Sequence, residues 1–131
     1  MDIHNIEHVP AFTTKDGSEI RELLAYRNSC IQRQSLAEAR LPPDCATTPH
    51  RHPDTEEIYY ILAGCGEIQI DSEKAEVRPG DAIAIPPGAR HQIINTHRIP
   101  LKFLCCCAPG YEDADTILLE PNPPRDGGPA S

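Results

Sequence analysis

His50-Arg-His-Pro-Asp-Thr-Glu-Glu-Ile-Tyr-Tyr-Ile-Leu-Ala-Gly64 is the stretch around which the chain is organised. Pro49 and Pro53 bracket the two histidines and favour extended backbone over helix. On a strand, residues i and i+2 share a face about 6 to 7 Å apart, so the His50 and His52 rings can converge on one ion. On a helix they would diverge. Glu57 follows at the head of an apolar run and offers a hard anionic oxygen. This pattern points to a metal site.

The same run predicts how strand 57–62 is seated. With Glu57 inward, Tyr59 and Ile61 are inward too, and Ile58, Tyr60 and Leu62 form a second apolar face. A strand apolar on both faces needs cover on its outer side, and a second copy of the chain supplies it, so a homodimer is expected. Parity and the spacing to Gly64 select Glu57 over Glu56 as the candidate ligand.

The flanking sequence extends the all-β reading. Lys15-Asp16-Gly17-Ser18 is a turn signal ahead of a short strand at 20–24, and Ala37, Ala39 and Leu41 alternate with Glu38 and Arg40 as in a half-buried strand. Further strands are predicted at 67–71, with Ile68 and Ile70 inward, and at 74–78, 82–85, 91–95 and 101–107. In the last two, His91, Ile93 and Asn95 share a face, as do Phe103, Cys105 and Cys107. Short strands broken by turns every eight to twelve residues indicate a sandwich or barrel. Residues 1–28 read as an N-terminal segment with an edge strand, 29–120 as the barrel, and 121–131, rich in Pro and Gly, as a disordered tail.

Composition narrows the partners. At 131 residues, 39% hydrophobic and 24% charged, the chain suits one soluble domain. Its net charge of -8 disfavours a nonspecific grip on nucleic acid or anionic lipid. No apolar run approaches a membrane span, and the first residues lack a secretory pattern. A small molecule is therefore the expected partner and the cytoplasm the expected compartment. Six cysteines, three of them consecutive at 105–107 and none in a Cys-x-x-Cys pair, are read as reduced thiols.

Two spacings then match a known family. His50-x-His52-x4-Glu57-x6-Gly64 and Gly80-x5-Pro86-x-Gly88-x2-His91-x3-Asn95, with fifteen residues between them, resemble the two motifs of the cupins. The first motif ordinarily opens with Gly six residues before its first histidine. Here Asp44 stands in that place, and Asp tolerates the left-handed conformation better than most residues. The resemblance implies a double-stranded β-helix, or jelly roll, with His50, His52, Glu57 and His91 as ligands of a metal inside the barrel, and each of these residues has inward parity.

Three neutral imidazoles and one carboxylate around a divalent ion carry a total charge of about +1, and in octahedral geometry they leave two positions open. The set suits Fe or Mn, although affinity does not by itself exclude Zn, Ni, Co or Cu. Within the family such a site serves dioxygenases, sugar-phosphate isomerases, decarboxylases, lyases and cyclases, as well as proteins that only bind a ligand. Oxidation of a small oxygen-bearing metabolite is favoured, because no lysine or further carboxylate shares the inward faces as a second base. The alternatives are isomerisation of a sugar phosphate and ligand binding without turnover.

Among lesser candidates, Tyr59 shares Glu57's face as a candidate catalytic hydroxyl or packing residue. Cys105 and Cys107 are read as small apolar filler, and Asn95 as a strand end or a support for His91. Arg51, Arg90, His4, His8 and His97 are placed on the surface.

Overall fold

The computed structural model describes residues 1–120; the tail expected at 121–131 lies outside them. Eleven strands form among the described residues. They are β1 (Phe12–Thr13), β2 (Glu19–Leu24), β3 (Ser35–Leu41), β4 (His50–Arg51), β5 (Glu56–Ala63), β6 (Gly66–Ile70), β7 (Glu73–Val77), β8 (Ala82–Ile85), β9 (His91–Asn95), β10 (Leu101–Ala108) and β11 (Ile117–Leu118). They pair antiparallel in two sheets, ordered β1-β2-β3-β10-β5-β8 and β11-β4-β9-β6-β7. This is a jelly roll.

Alternation along β5 fixes its seating. Glu57, Tyr59 and Ile61 are buried, whereas Ile58, Tyr60 and Leu62 are 50%, 42% and 40% exposed. The inward side chains therefore pass from polar to apolar along one strand. At the apolar end Ile61 joins Leu41, Ile68, Ile85, Ile93, Leu101 and Phe103 in a single cluster between the sheets. Burying each such side chain stabilises the fold by about 1.5 to 3 kcal/mol, which anchors the polar end.

Turn chemistry holds the strands in register. Gly64 ends β5 with φ +79°, and a Cβ there would lie 2.6 Å from the Pro100 carbonyl oxygen, so only glycine fits. Asp44 adopts φ 59°, the left-handed conformation expected where the family motif has glycine. Asn95 is fully buried. Its Nδ2 donates to the Leu41 and Ile99 carbonyls at 3.1 and 2.8 Å, and its Oδ1 accepts from His97 N. It therefore closes the loop before β10 and makes no hydrogen bond to His91.

The strand that includes Ala37, Ala39 and Leu41 forms as expected and begins at Ser35. One detail departs from the sequence reading. Glu38, expected on a solvent parity, is buried; it is compensated by Arg40 Nε at 2.9 Å and lies opposite Arg21 in the β2–β3 register.

Candidate metal centre

Two strands and the turn after one of them deliver the histidines. His50 in β4 is register partner to His91 in β9, and His52 follows just after β4 as the chain turns towards β5. The ring centroids are 4.1 Å apart for His50–His91, 5.1 Å for His50–His52 and 5.4 Å for His52–His91. One nitrogen from each ring lies within 4.8 Å of the other two. All three rings are buried.

Each ring is also oriented by its other nitrogen. His50 Nδ1 is 2.7 Å from Thr48 O and His91 Nδ1 is 3.0 Å from Ala89 O. A carbonyl only accepts, so these Nδ1 atoms donate and each Nε2 is left with its lone pair when the ring is neutral. His52 Nδ1 meets the Thr116 hydroxyl at 3.3 Å.

Glu57 faces the remaining nitrogens. Its Oε1 stands 3.5 Å from both His52 Nε2 and His91 Nε2, close for an ion pair but too long for a good hydrogen bond. Glu57 Oε1 and His91 Nε2 are consequently buried without a hydrogen-bond partner. Such orphaned atoms are costly, and a cation between them would satisfy both. The donor set of imidazoles and carboxylate suits a divalent transition ion, so the residues fit the group.

Electrostatics divides the rings. Burial opposes the charged form of His50, His91 adds repulsion, and its pKa falls to about 4. His52 is raised: burial works against its charge, and the Glu57 carboxylate outweighs it. Burial would likewise raise Glu57, but His52 and His91 hold it down at about 2.

The lesser candidates fall out differently. Tyr59 packs its ring 4.7 Å from Phe103 and 6.0 Å from His91 and makes no hydrogen bond to Glu57, and burial raises its pKa. Cys107 is more than filler, since its thiol donates to Glu57 Oε2 at 3.1 Å. Cys105 is buried beside it. Arg90 is partly buried and donates to Glu120 O, whereas His4, His8 and His97 are exposed.

A cleft enclosing about 530 Å3, open mouth included, leads to His50, His52 and Glu57. The expectation that no further carboxylate faces the site does not hold here. Glu22 lines the cleft from β2, and Asp16 lines it from the turn between β1 and β2, with Oδ2 3.4 Å from His50 Nε2. Asp16 was hidden in the sequence because Lys-Asp-Gly-Ser reads only as a turn. Tyr111, also unforeseen, lines the cleft with its ring 6.0 Å from His52, and burial pushes its pKa up to about 12.

Comparison with known proteins agrees with this arrangement. The model of the Cupin domain family matches residues 37–107, a span that contains all three histidines and Glu57. The chain is a cupin. An uncharacterized protein of Methanocaldococcus jannaschii is 48% identical over 114 residues, 87% of this cupin and 91% of that protein. An oxalate-binding protein of Thermotoga maritima is 31% identical over 86 residues, 66% of this chain and 71% of that one. Among solved structures, the polyketide cyclase RemF of Streptomyces resistomycificus superposes with TM-score 0.76 at 24% identity, covering 93% of this chain and 87% of its own. KdgF from Halomonas gives 0.75 at 17% identity over 87% and 98%. These two share the cupin fold.

Proposed function

We propose that this cupin holds one divalent transition ion, Mn or Fe, through His50, His52, Glu57 and His91, and acts on a small oxygen-bearing molecule that enters by the cleft. The observation that carries this reading is the pairing of buried, partnerless Glu57 Oε1 and His91 Nε2 with imidazoles whose Nδ1 atoms are already committed to backbone carbonyls. Such an ion, when bound, supplies Lewis-acid polarisation of a coordinated oxygen or a site for oxygen chemistry.

The chain's own side chains set the rest. Phe103, Ala37 and Ala39 line apolar parts of the cleft, whereas Asp16, Ser18, Ser35 and Tyr111 bring polar atoms to it. Among the described residues no lysine or arginine lines it, so a phosphorylated ligand would find no cationic side chain from them there, which counts against the sugar-phosphate alternative. Asp16 also removes the reason for preferring oxidation, namely the lack of a second carboxylate. Binding without turnover is kept as a second reading because one relative is an oxalate-binding protein.

The test is anaerobic loading with Mn(II) or Fe(II), followed by oxygen-consumption and product assays on unphosphorylated hydroxy-carbonyl compounds. Turnover with a loaded metal is expected. Saturable ligand binding with no turnover under any metal would transfer the assignment to the binding reading.

The exposed row Ile58, Tyr60 and Leu62 supports a homodimer through the outer face of β5. Light scattering at micromolar concentration is expected to give twice the chain mass, and Tyr60→Glu to give the monomer. A monomeric parent would sink the dimer.

A further inference from the structure

We propose that Asp16 is a fifth protein ligand of the ion, so that the loaded site is electrically neutral and its one remaining position takes an uncharged oxygen donor, a hydroxyl or carbonyl group. The inference rests on the metal site proposed above and deepens it.

Asp16 sits in a turn, but hydrogen bonds hold both its side chain and its backbone. Its Oδ1 accepts from Thr14 Oγ1 and Ser18 Oγ, both at 2.7 Å, and from Ser18 N at 2.9 Å. Its backbone carbonyl accepts from Thr48 N at 2.7 Å, two residues before His50. The neighbouring Lys15 turns the other way, donating to the carbonyls of Asp113 and Thr116 at 2.8 and 3.3 Å. The turn is thus held on both sides, and Asp16 Oδ2 alone is left facing the cleft.

What Oδ2 faces decides its role. His50 Nε2 lies 3.4 Å away, nearly the 3.5 Å that separates Glu57 Oε1 from the other two imidazoles. Thr48 O holds the proton of His50 on Nδ1, so in the neutral ring Nε2 offers a lone pair to an oxygen that also offers one. Two lone pairs at that distance repel unless a cation lies against both. Donors about 2.0 to 2.2 Å from one ion, placed at right angles around it, stand about 3 Å apart, and the observed spacing is close to this. Glu57 serves His52 and His91, and Asp16 serves His50, so the two carboxylates divide the three imidazoles between them.

The charge follows directly. Two carboxylates cancel a divalent ion, and among the described residues the only other acid lining the cleft, Glu22, is paired with Arg27 at 2.6 Å. A dianion such as oxalate then gains little from the ion, whereas an alcohol or ketone oxygen binds without a charge penalty.

Isothermal titration of the metal-free full chain with Co(II), read together with the visible bands of the loaded protein, tests this. Asp16→Asn and Asp16→Ser are each expected to bind Co(II) at least about tenfold more weakly and to shift the bands. Oxalate is expected to bind the Co(II)-loaded Asp16→Asn protein more tightly than the loaded parent. Folding of the variants is checked by circular dichroism. A folded Asp16 variant with parental affinity and parental bands would overturn the proposal. A measurement on the parent alone decides the matter if both variants unfold: water relaxation of the Mn(II)-loaded parent is expected to report one bound water, and two would overturn it. His91→Gln separates the levels. If it loses Co(II) while Asp16→Asn keeps it, only the fifth ligand falls; if it keeps Co(II) as well, the metal site itself is wrong.

Discussion

Two carboxylates reach the histidine cluster from unlike parts of the molecule, Glu57 at His52 and His91 and Asp16 at His50. Glu57 stands on β5, flanked in register by Ile85 of β8 and Cys107 of β10, and its position follows from strand alternation. Asp16 stands on the turn between β1 and β2, at the far edge of the same six-stranded sheet, and its position follows from hydrogen bonds to Thr14, Ser18 and Thr48. A side chain placed by a paired strand is held by many backbone bonds at once. One placed by a turn depends on a few, each of which can be removed.

The largest effect is expected on the strand-borne side. Glu57→Gln keeps shape while removing a charge, and His91→Gln replaces the imidazole nitrogen by a weaker amide donor, so either is expected to weaken Mn(II) or Co(II) binding by more than about 100-fold, beyond the range typical of outer-shell partners. Elemental analysis after dialysis measures it. Equal metal content in parent and variants would erase the distinction between the two regions, because neither would then hold an ion.

The turn-borne side predicts a smaller change with a different signature. Thr14→Val removes one of three donors to Asp16 Oδ1 without touching any histidine. A net hydrogen bond to a charged group is worth about 1.5 to 3 kcal/mol, part of which is recovered by the two Ser18 donors. Metal affinity is expected to fall by about three- to tenfold, read by titration, with no loss in the metal-free melting temperature beyond a few degrees. An unchanged affinity would mean that the turn needs no such support.

The histidines on the two sides also differ in acid. His50, lowered to about 4 by burial and by His91, binds its proton more readily in the unfolded chain, whose value lies near 6.5. Its burial therefore costs stability as pH falls from about 6.5 towards 4. The contribution of His52 has the opposite sign, because a raised pKa favours the protonated folded form and gives stability that is present at low pH and lost as pH rises through the folded value. Metal-free His50→Gln protein is thus expected to lose stability less steeply than the parent as pH falls from about 6.5 to about 4, whereas His52→Gln is expected to lose less stability than the parent as pH rises above about 6.5. Chemical denaturation at a series of pH values checks both slopes, and equal slopes would show that the two rings share one environment.

The same contrast explains what could be read from the sequence. Period-two alternation assigns His50, His52, Glu57, His91 and Ile61 to the interior because pleating forces it, and Pro49 and Pro53 fix the extended backbone at the histidine pair. Asp44 at φ 59° was legible for the same local reason. Asp16, Tyr111 and Thr116 were not legible, because each reaches the site through contacts between residues far apart in sequence, such as Thr48 N to Asp16 O and Thr116 Oγ1 to His52 Nδ1. Glu38 was misplaced by the rule that charged residues on alternate positions are exposed, which cannot foresee that it is buried and paired with Arg40.

Cys107 lies between these cases, since alternation turned it inward but could not say what it touches. Its thiol donates to Glu57 Oε2, and burial together with the Glu57 charge raises its pKa, so it stays a protonated donor across the neutral range. Removing that donor in Cys107→Ala leaves Oε2 in a buried wall with no hydrogen bond and frees the carboxylate to rotate. Thiols are weak donors, and the expected loss in metal affinity is correspondingly small, about two- to fivefold. Cys107→Ser restores a donor of similar size and is expected to recover most of it. The pair of variants isolates the hydrogen bond from the packing: if serine and alanine weaken binding equally, Cys107 fills space beside Glu57 and the strand-borne carboxylate is held by β5 alone.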